Sequence, residues 1–215
     1  MRFIKQYFPH ILLTLYLVEF VYFSFEPFSR SVWLVENLPV LIAVAILVVT
    51  FKKFRFSNLS YFLMAFFLMY HTFGGHHTFA LAPFELGNTL LDYLNMEFLF
   101  PEGRNNFDRV GHYFVGIFAY PVAEFVYRKK LVSGKSMAVF FGIIGLGFWA
   151  ALYEIIETVF AVVEGGDAGL SFLGSQGDIW DAQKDMLLDI LGAITASVLF
   201  LFTHRRHEDK KELNN

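Results

Sequence analysis

Three short groups of ionisable residues stand in or beside apolar stretches of this chain: Asp108 with His112, Glu154 with Glu157, and Asp181, Asp185 and Asp189. On a helix, residues three or four apart share a face, so each group presents its polar atoms together. An imidazole one turn from a carboxylate suits a metal ligand or a general base whose tautomer the acid fixes. Paired glutamates suit cation binding, or a protonated acid that donates a hydrogen bond in apolar surroundings. His71 and His76 add imidazoles, and Arg104 and Arg109 suit an anionic group on a substrate. The expected roles are a divalent metal, zinc by preference, held by His71, His76, Asp108, His112 and Asp185. Glu154, Glu157 and Asp181 would supply acid–base catalysis, and Arg104 and Arg109 would bind substrate. Simpler roles stand beside these: Asp108 and Asp181 could cap helices, and the arginines could form salt bridges at the rim.

The elements that position these groups are apolar. The 215 residues are 56% hydrophobic and 17% charged, with 28 Phe and no Cys, more apolar than a soluble core of this size requires. Thiol chemistry and disulfides are excluded. The net charge of -3 and the lack of basic–aromatic clusters give no reason to expect nucleic acid as a partner. Membrane lipids are the expected surroundings.

Apolar stretches run from Phe8 to Phe25, Trp33 to Phe51, Leu59 to Phe73, Val110 to Tyr127, Met137 to Val163 and Asp185 to Phe202. Most approach the roughly 20 helical residues that cross a hydrocarbon core. The fold expected is an all-α polytopic membrane bundle of about six transmembrane helices, forming one domain over residues 1–215. The first stretch follows Arg2 and Lys5 as a signal peptide would, but Phe23-Ser24-Phe25-Glu26-Pro27 offers no small-residue cleavage site, so it is expected to be retained. Gly74-Gly75 is expected to break the third helix before His76. An interfacial helix is expected between helices three and four, over Thr89 to Phe100, where Leu90, Leu91, Leu94 and Phe98 repeat at helical spacing.

Basic residues mark alternate junctions: Arg2 and Lys5; Lys52, Lys53 and Arg55; Arg128, Lys129, Lys130 and Lys135; and Arg205, Arg206, Lys210 and Lys211. Lys and Arg accumulate in short cytoplasmic loops, so both termini are expected to be cytoplasmic. That topology carries the three acidic and histidine groups to the extracytoplasmic half. It leaves Glu124 about four turns away, expected to pair with Arg128.

The segments 71-HTFGGH-76, 104-RNNFDRVGH-112, 153-YEIIE-157 and 172-FLGSQGDIWDAQ-183 resemble those of the YjdF-like bacterial inner-membrane proteins. The resemblance covers most of the chain and implies a multi-pass inner-membrane protein, without implying an activity. His77 and Thr158 depart from it, where Tyr and Trp are expected. A more limited similarity links Asp108-Arg109-Val110-Gly111-His112 and the Asp185, Asp189, Gly192 series to VanZ-like proteins, with Asp189 in place of Asn; it suggests chemistry facing the cell envelope.

The function expected is a metal-dependent hydrolase acting on a lipid or envelope precursor. No His-Glu-x-x-His or Glu-x-x-His motif specifies a reaction. Two other readings remain open: a proton or metal-ion transporter, which requires polar groups through both halves of the bilayer, and a non-catalytic envelope scaffold or sensor, which requires a closed polar cluster.

Overall fold

The computed structural model describes the backbone of residues 2–212 and the side chains of residues 6–203, except those of Ala168 and Ser171. The basic side chains at the two chain ends, from Arg2 and Lys5 to Arg205, Arg206, Lys210 and Lys211, lie outside the described residues.

Within these bounds the protein is all α-helical. The order is α1 (Arg2–Phe23), α2 (Arg30–Thr50), α3 (Asn58–His76), α4 (Glu85–Tyr93), α5 (Phe107–Gly116), α6 (Ala119–Arg128), α7 (Lys135–Glu164), α8 (Gly166–Leu173) and α9 (Asp181–Glu212). Among the described residues, Arg30–Thr50, Lys135–Glu164 and Asp181–Thr203 are long and apolar enough to cross a membrane. Much of their apolar surface faces outward, including Ile46, Val49, Phe148, Val159 and Val198. A soluble fold would bury such a surface, whereas lipid is a favourable surrounding for it.

Three sequence expectations require correction, and one helix was not anticipated. The fourth apolar stretch is two helices, because Pro121 has no N–H for the carbonyl of Ile117 and its ring crowds that carbonyl; the turn closes through Ile117 N–H to Phe114 O and Phe118 N–H to Val115 O. Gly74-Gly75 does not break α3, which continues to His76. Gly74 is instead a packing surface: a Cβ there would lie 2.5 Å from the Phe79 ring and 2.7 Å from the Phe107 ring. The helix expected over Thr89 to Phe100 is α4, which starts earlier and ends before Asn95, a residue at φ 51°. Finally, α8 was not anticipated; Gly165 and Gly166, at φ 65° and 55°, reverse the chain so that Phe172 packs on Phe160 with ring centroids 4.2 Å apart.

The core contact for the polar groups is α5 against α9, which run in the same direction. At Gly116 an added Cβ would meet the backbone of Asp189, Gly192 and Ala193, and at Gly192 it would meet the carbonyl of Tyr113. Small residues at such a crossing bring two backbones together. Below it, Ala119, Tyr120 and Ala123 pack with Ala138 and Leu146 of α7 and with Ala193, Ala196 and Phe200 of α9.

Candidate functional site

Close approach of α5 and α9 sets the polar pairings one turn at a time. Arg109 faces Asp185, and His112 faces Asp189. Arg109 is fully buried and its guanidinium is shared among acids of the α8–α9 connection and α9. Its Nε donates to Asp185 Oδ1 at 3.1 Å, Nη1 to Asp178 Oδ2 at 3.1 Å and to the Leu99 carbonyl at 2.9 Å, and Nη2 to Asp181 Oδ1. Arg104 Nη2 also reaches Asp181, at 2.7 Å. The arginine fork suits this planar, multidentate recognition. Arg109 is thus an internal anchor for three acids, a correction to its expected role on substrate, because these partners already take its donors.

His112 lies between three carboxylates. Its Nδ1 is 3.2 Å from Asp189 Oδ2, while Nε2 faces Asp108 Oδ1 at 3.9 Å. Ligand atoms of Asp108, His112 and Asp185 all lie within 4.8 Å of one another, close enough to share one cation. Nδ1 stands against Asp189 while Nε2 faces Asp108, the carboxylate–histidine arrangement that orients metal-binding imidazoles.

From α7, Glu154 and Glu157 join the same electrostatic neighbourhood. Glu154 interacts with His112, Asp185, Asp108 and Asp189, and Glu157 with Glu154, Asp108 and His112. Glu154 is 8% exposed and Asp189 1% exposed. Even so, Glu154 Oε1 and Asp189 Oδ1 have no hydrogen-bond partner among the described residues. Orphan carboxylate oxygens at this depth are unfavourable unless a proton or a cation satisfies them.

Two expected ligands are placed elsewhere. His71 Nε2 lies 3.3 Å from Glu36 Oε2, and His76 Nδ1 lies 2.9 Å from the Phe23 carbonyl. His76 therefore joins the end of α1 to the end of α3. Glu36 was not among the expected site residues, although an acid beside Asn37 inside an apolar stretch was a usable signal. It is 2% exposed and accepts a hydrogen bond from Tyr153 at 2.8 Å, which links His71 to the residue preceding Glu154. Asp189, grouped in the sequence with Asp181 and Asp185, is the carboxylate against His112 Nδ1.

The loop that carries Arg104 is locked by its neighbours. Asn105 donates to the carbonyls of Ala80 and Ala82 at 3.0 and 2.7 Å, and exchanges hydrogen bonds with Gln176 at 3.1 and 3.0 Å. Outside the spanning segments, burial pushes the Asp178 carboxyl upward, but Lys184, the Trp180 amide and Arg109 outweigh it and hold the group at about 2.

The expected pairing of Glu124 with Arg128 is present at 2.5 Å, at the opposite end of α6 from this cluster. Glu124 also accepts hydrogen bonds from Ser57 N–H and Oγ, each at 2.8 Å, and from Ser60 Oγ.

Residues 8–206 match the family described as "Predicted membrane protein (DUF2238)". The chain belongs to that family. A relative, the inner membrane protein YjdF of Escherichia coli (strain K12), is 34% identical over 190 residues, 88% of this chain and 86% of that one. No solved structure matches. For this DUF2238 protein, the helical architecture and outward apolar surface agree with the family description, and the buried acid and histidine cluster is the feature that calls for a function.

Proposed function

We propose that this multi-pass protein of the bacterial inner membrane binds a divalent cation through Asp108, His112 and Asp185 and hydrolyses an ester of a lipid or envelope precursor. The observation that carries the proposal is the orientation of His112, with Nδ1 on Asp189 and Nε2 towards Asp108, beside the unpartnered oxygen of Glu154. In this reading six crossings are completed by α1, α3 and the α5–α6 pair, both termini are cytoplasmic, and the site opens towards the envelope.

The donor set fits a cation. Carboxylates outnumber the cations Arg104, Arg109 and Lys184 that neutralise them, and a second positive source relieves the surplus. One imidazole with several carboxylates is a harder set than the zinc site expected from several histidines, so manganese joins zinc as a cation to test. A bound cation would activate water and polarise the ester. Asp189 holds the tautomer of His112, Arg109 holds Asp185 in place, and Glu154 accepts the proton of the attacking water. The water oxygen adds to the acyl carbon or phosphorus, the bond to the leaving oxygen breaks, and the proton passes from Glu154 to that oxygen.

Transport is less well supported. Glu124, the buried acid at the other end of the bundle, is closed by Ser57, Ser60 and Arg128, which favours a structural role over a relay. A scaffold would be expected to close its polar cluster internally, and the oxygens of Glu154 and Asp189 argue against that.

The test is metal analysis of detergent-purified protein after exposure to zinc or manganese and removal of free ions. About one bound ion per chain is expected, with loss in Asp108→Asn and His112→Ala and retention in Glu124→Gln. A metal-free wild type, or equal content in all four proteins, overturns the proposal.

A further inference from the structure

A second polar feature lies beside the site, at the start of α9. The loop of residues 101–104, the loop of residues 176–178 and Lys184 line an open cavity of about 390 Å³. Arg104 walls this cavity and is only 8% exposed, yet its Nε has no hydrogen-bond partner among the described residues. Its other nitrogens are engaged: Nη1 donates to the Ser175 carbonyl at 2.5 Å, and Nη2 to the Gly174 carbonyl at 3.3 Å and to Asp181 at 2.7 Å. A buried guanidinium N–H without an acceptor is unfavourable, and an anionic oxygen is its best partner.

Two further features limit the ligand. Gly103 and Gly177, at φ 79° and 85°, have open space where a side chain would stand, so a ligand can approach the backbone at both loops. Lys184 supplies a second cation, 2.7 Å from Asp178 and 5.5 Å from the centroid of the Phe98 ring. Nearby, Phe98, Ile179 and Trp180 are 73%, 84% and 60% exposed. A polar cavity lined by the cations Arg104 and Lys184 and by the carboxylates of Glu102 and Asp178, beside a strongly apolar surface, fits a charged headgroup attached to acyl chains better than a soluble anion, because the chains cover the exposed apolar groups.

We infer that this cavity is the headgroup subsite for a phospholipid-class substrate, with the phosphate accepting from Arg104 Nε and from Lys184. The assignment rests on the hydrolytic reading of the neighbouring cluster and names the substrate class for it. The two sites are physically joined: Asp181 accepts from both Arg104 and Arg109, and Arg109 donates to Asp185. A headgroup seated at Arg104 is therefore connected to a proposed cation ligand through three ion pairs.

Native mass spectrometry of full-length protein in detergent, titrated with phosphatidylglycerol, phosphatidylethanolamine or diacylglycerol, tests this. Both phospholipids should bind at least tenfold more tightly than diacylglycerol. Arg104→Lys, which keeps the charge but loses Nε, and Lys184→Gln, which lies at the mouth, should each weaken phospholipid binding about tenfold. A wild-type helical circular dichroism spectrum serves as the folding control for both variants. Equal binding of all three lipids, or variants that bind like wild type, overturns the headgroup subsite. Displacement of the phospholipids by equimolar inorganic phosphate assigns the cavity to a soluble anion and overturns it as well. Glu124→Gln changes a group that belongs to neither site, so it should bind phospholipid as wild type does. Loss of lipid binding in Glu124→Gln would also overturn a localised headgroup site. Phospholipid binding in a protein without metal would leave the subsite standing while the cation reading fails.

Discussion

Glu124 and Glu154 are both buried carboxylates on helices packed against α9 or its partners, yet their surroundings are opposite. Glu124 is enclosed by donors from Ser57 and Ser60 and paired with Arg128, so both of its oxygens are satisfied. Glu154 has an oxygen without a donor among the described residues and stands among Asp108, Asp185 and Asp189. Burial of an acid therefore does not by itself indicate a functional site. What separates the two ends of the bundle is whether the folded chain supplies enough hydrogen-bond donors and positive charge for the acids it buries.

The contrast predicts how the two regions respond to substitution. Arg109→Ala should have the largest effect, because it leaves Asp178, Asp181 and Asp185 without their shared buried cation; a loss of about 3–5 kcal/mol is expected, read as a marked fall in thermal unfolding temperature in detergent. A small change would mean that these acids already hold protons. Glu124→Ala should cost about 2–4 kcal/mol, since buried donors of Ser57 and Ser60 lose their acceptor. Wild-type stability there would remove the distinction between a closed end and an open one.

Glu154→Gln should lie within about 1 kcal/mol of wild type, because no donor is stranded when an unpartnered oxygen is changed. A loss as large as that of Glu124→Ala would show that the cluster around Glu154 is closed too. The smallest effect concerns Asp178. With its folded value near 2 and an unfolded value of about 3.9, its contribution is present above about pH 4 and declines as pH falls through about 2. The stability difference between wild type and Asp178→Asn should therefore be constant above pH 4 and shrink towards pH 2 in acid unfolding measurements.

Much of the candidate site was legible in the chain. Asp108, His112, Glu154, Glu157, Asp181 and Asp185 stand out because charge is rare in apolar helices, and they do gather in one neighbourhood. The pairing of Glu124 with Arg128 was also legible, since both belong to one helix at a spacing that brings side chains together. His71 was misread because its partner Glu36 belongs to another helix, and no spacing along the chain relates residues 35 positions apart. Arg109 was misread for a similar reason: a guanidinium beside an acid-rich region serves a substrate or the acids themselves according to which acids the fold brings within reach.

The sequence by itself determined the apolar helices, most acids of the cluster and their order along each helix face, because helical periodicity and the cost of exposing or burying charge are local properties. The tertiary structure decided which acids share Arg109, which nitrogen of His112 is held by Asp189, and that Glu154 is left with an unpartnered oxygen. Those outcomes depend on the depth and register of the α5–α9 crossing, where Gly116 and Gly192 let two backbones meet. Contacts between helices distant in sequence are set by that packing and by no periodicity within either helix.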